Sequence, residues 1–128
     1  MLTWMDEITT LQAEVLRTLA HPRRLEILHR LADGPTDVGR LAKSLGLSQP
    51  NVSQHLAVLR GAGVVDAERD GRGVRYRLAD PAVMVACGVM RTVLERRLAR
   101  LARLSADPTL TGALPAMAVA RPTAAIKE

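Results

Sequence analysis

The chain has 128 residues, 48% of them hydrophobic and 24% charged. That is about one domain's length with a globular composition, so collagen-like and wholly disordered chains are excluded. Lys and Arg outnumber Asp and Glu by 18 to 13, leaving a net charge of +5, which suits a polyanionic partner such as nucleic acid or a membrane surface.

Trp4 and Tyr76 are the only aromatic residues besides His, and there is no Phe. The core must then be built from Leu, Val, Ala, Ile and Met, which suits helices and argues against an aromatic-lined sugar or base-stacking site. Cys87 is the single cysteine, so no intrachain disulfide can form, as expected of a cytoplasmic protein. Met1 to Glu7 lacks the basic start of a signal peptide and carries Asp6 and Glu7 early. No stretch approaches the run of about 18 apolar residues that spans a bilayer, so no membrane partner is expected.

Ile8, Leu11, Val15 and Leu19 recur at steps of three and four, one face of a helix over roughly 5–20. His21-Pro22 interrupts it, because a residue before proline is pushed out of the helical region, and Pro22 suits the first position of a second helix. Leu25, Leu28 and Leu31 line that helix, and Asp33-Gly34-Pro35 stops it. Thr36 is the expected N-cap of a third helix, with Asp37 in its first turn. Val38, Leu41, Ala42 and Leu45 form its apolar side, and Gly46 suits the position just past its end. Ser48 caps a fourth helix, in which Val52, Leu56 and Leu59 share one face until Gly61-Ala62-Gly63.

The period then changes from 3.6 to 2. Val64 to Arg69 reads as a strand, Asp70-Gly71 as a hairpin turn, and Val74, Tyr76 and Leu78 alternate with Arg75 and Arg77 in the return strand. Asp80-Pro81 opens a long last helix with Val83, Met84, Cys87, Met90, Val93, Leu94, Leu98, Leu101 and Leu104 at helical spacing. Residues 106–128 are rich in Ala and Pro without a period and read as a flexible tail beyond a domain of residues 1–105.

Residues 36–77 concentrate the candidate chemistry. Two short helices joined through Gly46-Leu47 form a helix-turn-helix, whose second helix must present a small polar outer face to a major groove about 12 Å wide. Gln49, Asn51, Ser53 and Gln54 supply that face and are the candidate base contacts, since Gln pairs bidentately with adenine and Ser serves either base class. Ser48 and the free N–H groups beside it can hold a phosphate. Lys43, Arg72 and Arg75 are the other candidate phosphate contacts, the last two on a basic, glycine-loosened wing over 69–75. Taken singly, a Ser-capped polar helix is only a solvated helix and an Asp-Gly hairpin only a hairpin. The order, the spacing and the basic excess together favour DNA.

Three runs, Leu19-Ala20-His21-Pro22-Arg23-Arg24-Leu25-Glu26-Ile27-Leu28, then Leu45-Gly46-Leu47-Ser48-Gln49-Pro50-Asn51-Val52-Ser53-Gln54-His55-Leu56, then Gly71-Arg72-Gly73-Val74-Arg75-Tyr76-Arg77-Leu78, resemble the arsenic-repressor (ArsR/SmtB) family of bacterial transcriptional regulators. The likeness runs from residue 10 to about residue 104. It implies a mainly α fold with one β-hairpin (α+β), a winged helix-turn-helix of order ααααββα. It also implies a homodimer formed through the first and last helices, with Ile8, Leu11, Val15, Met90, Leu94, Leu98 and Leu101 at the interface, and repression through a palindromic site on double-stranded DNA.

The family's inducer sites are where the chain departs from the pattern. Many members carry a Cys-x-Cys pair at the start of the first helix of the helix-turn-helix, but Pro35 to Gly39 holds no thiol. Others use Asp and His on the last helix, which here has no His and the single acid Glu95. Soft and borderline metals need thiolate or imidazole ligands, so no metal and no cofactor are expected. Cys87 remains a candidate thiol sensor, with Arg91 one turn on favouring its thiolate. No nucleophile–base set or glycine-rich phosphate loop argues for an enzyme. A metal- or thiol-responsive sensor using Cys87 or the His residues, and a winged-helix protein-interaction module without DNA binding, stay open as alternatives. The inducer is not legible.

Overall fold

The structure, a computed structural model, describes residues 3–106; apart from Ala106, the expected tail lies outside them. The described residues divide after Met84 into two units. The first holds α1 (Trp4–Leu19), α2 (Pro22–Leu31), α3 (Val38–Leu45), α4 (Gln49–Gly61), β1 (Val65–Arg69) and β2 (Val74–Leu78); α5 (Ala82–Ser105) begins at its end and continues as the second. The order is ααααββα, as the resemblance implies.

Each of the first four helices begins where a side chain takes over an orphan N–H of the first turn. Thr3 and Asp6 form a capping box on α1. The Asp6 carboxyl sits below its ordinary range because the Thr3 backbone N–H, then the Thr3 hydroxyl, donate to it. His21 caps α2, its Nδ1 accepting from the Arg23 N–H at 3.1 Å, with Pro22 following as expected. The cap of α3 is Asp37, whose Oδ1 accepts from the Arg40 N–H at 2.8 Å. This corrects the expectation of Thr36. Thr36 instead pairs with β2, its N–H donating to the Tyr76 carbonyl at 3.0 Å and its carbonyl accepting from the Tyr76 N–H at 2.7 Å. Gly46 closes α3 at φ 66°, a left-handed conformation that a Cβ makes costly. Ser48 caps α4 by accepting from the Asn51 N–H at 3.3 Å.

One buried aliphatic cluster holds the first unit together. It comprises Leu19 of α1, Ile27, Leu28 and Leu31 of α2, Leu41 and Ala42 of α3, Val52, Leu56 and Leu59 of α4, and Val64 and Val65 at the start of the hairpin. Val15, Tyr76, Leu78, Val83 and Met84 pack on it from the side. The strands pair antiparallel, Val65 opposite Leu78 and Arg69 opposite Val74. β1 starts at Val65 rather than Val64, because the Val64 N–H still donates to the Leu59 carbonyl at the end of α4. No buried side-chain N or O among the described residues lacks a partner.

The helix faces divide in a way that periodicity alone does not reveal. On α1, Val15 and Leu19 serve the cluster, while Trp4, Met5, Ile8, Leu11 and Leu16 lie on the surface, all at about half exposure or more. α5 buries no residue, and Val85, Val89, Met90, Val93, Leu94 and Leu98 are exposed along it. Exposed apolar residues on this scale mark an interaction surface rather than an ordinary solvated one. No described helix is long and apolar enough to cross a membrane.

Candidate nucleic-acid interface

α3 and α4 meet through Gly46 and Leu47, and α4 carries the polar face. Its buried line is Val52, Leu56 and Leu59. At 3.6 residues per turn, the opposite ridge is Pro50, Gln54, Ala57 and Val58, all exposed. Gln54 is therefore carried outward. Ser53 and Asn51 are exposed on its two sides, and Gln49, also exposed, lies nearer the buried line. Gln49 leans toward α3, where its Nε2 lies 3.4 Å from the point a Cβ on Gly39 would occupy. Sequence reasoning missed Ala57 and the exposed Val58, which extend the ridge by three and four residues from Gln54. Small apolar groups there match a thymine methyl, and the spacing from Gln54 was the available signal.

The polar groups at the start of α4 suit an anion. Ser48 spends its oxygen lone pair on the Asn51 N–H, which leaves its own hydroxyl hydrogen and the neighbouring first-turn N–H groups to donate outward. Lys43 on α3 is exposed and, among the described residues, has no acidic partner.

The wing is fastened at its base and open at its tip. Thr36 and Tyr76 join it to the segment before α3, and Arg75 Nη2 donates to the Pro35 carbonyl at 3.0 Å. Arg75 also lies 3.9 Å from the Asp70 carboxylate. This side chain, expected to be free for phosphate, already ties the wing to the helix-turn-helix. Arg77 pairs with Glu68 at 3.2 Å across the strands. At the tip Gly71 turns the chain at φ 55°, and Arg72 is exposed with no ion pair among the described residues. Arg69, at the end of β1, is likewise exposed with no ion pair among the described residues, so Arg69 and Arg72 are both available cations of the wing.

His55 faces inward from α4. Its Nδ1 accepts from Arg24 Nε at 3.3 Å, and its ring lies 4.7 Å from that of His21. Partial burial, then the charges of His21, Arg24 and Arg23, lower its pKa below the ordinary 6.5. Cys87 is half-buried on α5. No three His, Cys, Asp or Glu side chains among the described residues converge as metal ligands.

A capped helix seated on a three-helix core, its polar ridge outward and a basic hairpin tied beside it, is a winged helix-turn-helix. A family model described as the bacterial regulatory protein, arsR family, matches residues 21–67. An HTH-type transcriptional regulator of Mycobacterium tuberculosis is 47% identical over 94 residues, covering 73% of this chain and 82% of that protein. The regulator CmtR of Mycobacterium bovis is 48% identical over 82 residues, 64% of this chain and 70% of CmtR. The homodimeric winged helix-turn-helix DNA-binding domain of another M. bovis protein superposes with a TM-score of 0.69 at 30% identity, over 77% of this chain and 91% of that one. The chain belongs to the arsR family of bacterial regulatory proteins and is a transcriptional regulator with its winged helix-turn-helix fold.

Proposed function

We propose that this protein is a cytoplasmic, non-enzymatic repressor that binds a palindromic operator as a homodimer. The observation that carries the reading is the outward ridge of α4, with Gln54 opposite the buried Val52, Leu56 and Leu59 and the polar Ser53 and Asn51 on either side of it. Gln54 reads base edges from the centre of the ridge, with Ser53, Asn51 and Gln49 contacting from its sides. Ser48, Lys43 and Arg72 hold phosphates, and Arg75 chiefly positions the wing. Residues 1–105 act together as the DNA-binding and dimerisation domain. Ile8 and Leu11 on α1, with Met90, Leu94, Leu98 and Leu101 on α5, are covered by the second copy; Val15 serves mainly its own core. A relative from Agrobacterium fabrum, 46% identical over 76 residues, is named a biofilm growth-associated repressor, which supports repression as the mode. The family's metal ligands are missing from the positions that would hold them, so release from DNA does not use those sites.

Binding to the protein's own upstream region, measured against excess random duplex, tests the reading. Gln54→Ala is expected to lose about 1–3 kcal/mol on the operator and little on random DNA; equal loss on both would show that Gln54 reads no base. Arg72→Ala is expected to weaken both and to flatten the dependence of affinity on salt. An unchanged slope would take Arg72 off the phosphate.

A further inference from the structure

Arg24 lies on α2, away from the outward ridge of α4, yet it spans two other helices of the same unit. Its Nη1 donates to the Thr18 carbonyl in the last turn of α1 at 2.9 Å, and its Nε donates to His55 Nδ1 on α4 at 3.3 Å. The guanidinium is a planar fork whose donors have fixed relative directions. Two such bonds hold the end of α1 and the middle of α4 at one spacing. His55 sits between the buried Val52 and Leu59 and directly follows Gln54, so a rotation of α4 that moves His55 also swings Gln54 and Ser53.

We propose that Arg24 is a positioning residue for DNA recognition, bridging the last turn of α1 to His55 and thereby fixing the angle at which α4 presents its outward ridge. This rests on α4 being the base-reading helix. The bond requires His55 to accept at Nδ1, which only the unprotonated side chain does. The titratable and charged groups acting on the ring come from α2 and its cap, namely His21, Arg23 and Arg24; α1 reaches it through the Thr18 carbonyl and Arg24. Because the folded pKa lies below the ordinary 6.5, the neutral form is in place above that value, and the bridge is lost as pH falls through the lower folded value. Acid then weakens operator binding while the added positive charge strengthens binding to random DNA. Those opposite trends distinguish misdirected reading from general loss of the fold.

The experiment compares operator and random-duplex affinity for the full-length protein and four variants between pH 7.5 and 5.5, with thermal melts beside them. Arg24→Met is expected to bind the operator about tenfold more weakly at neutral pH, with random-duplex affinity nearly unchanged. His55→Leu should match it, and adding it to Arg24→Met should cost little more, since both remove one bridge. His55→Asn places an amide oxygen where Nδ1 stood, so it is expected to restore neutral-pH affinity and to reduce the slope with pH. Full operator affinity in Arg24→Met, or a wild-type pH slope in His55→Asn, would overturn the proposal while leaving α4 as the reader. If the unaltered protein showed no preference for the operator, the base-reading assignment itself would fail first.

Discussion

Leu94→Glu on α5 is expected to convert the protein to a monomer and to weaken operator binding by about two orders of magnitude or more. Leu94 is 49% exposed in the single chain, so a carboxylate there is solvated and costs the protomer little, within the small range of surface substitutions. In a symmetric dimer the same change enters the interface twice, where an unpaired charge is removed from water at high cost. Two half-sites held on one dimer gain about 10²–10⁴ in avidity over one, and that gain vanishes with the second copy. Sedimentation equilibrium and operator titration on the same sample check both halves. A Leu94→Glu protein that stays dimeric would place the interface elsewhere.

Leu56→Ala is expected to destabilise the protein by about 2–5 kcal/mol, the range for truncating a buried leucine. Leu56 is fully buried in the cluster that seats α4. A typical domain has only about 5–15 kcal/mol to lose, so the fold becomes marginal and the reading helix loses its seat. Val58, two residues on, is 41% exposed, and Val58→Ala should change stability by no more than about 0.5 kcal/mol. Urea midpoints at one protein concentration measure both, the concentration being fixed because dimerisation adds to apparent stability. Similar midpoints for the two variants would refute the assignment of α4's inner face.

The helices and the hairpin were legible because their signals are local. Pro22, Ser48 and Gly46 mark helix ends through their own backbone chemistry, and Asp70-Gly71 marks the turn where the apolar period changes. What escaped was decided across the chain. Thr36 and Asp37 are both good caps, and the pairing of Thr36 with Tyr76, distant in sequence, leaves the role to Asp37. His21 is not among the favoured caps, yet its Nδ1 serves. Arg75 looks like a free outward side chain in an alternating strand, and only the fold brings the Pro35 carbonyl to it. In the candidate site, the phase of α4 relative to Val52 and Leu56 separates the outward Gln54 from Ser53, Asn51 and Gln49 at its sides. That phase was contained in the spacing. The approach of Gln49 to Gly39 on α3 was not.

The near-absence of aromatic residues has a practical consequence. The chain's single indole, Trp4, sits at the start of α1 and is 70% exposed, so its intrinsic fluorescence comes from one surface point with no other tryptophan to obscure it. If α1 is sheltered by a second copy, diluting the unlabelled protein should shift that emission to longer wavelength as the indole meets water. An emission maximum that stays fixed across the dilution series would remove the beginning of α1 from the contact.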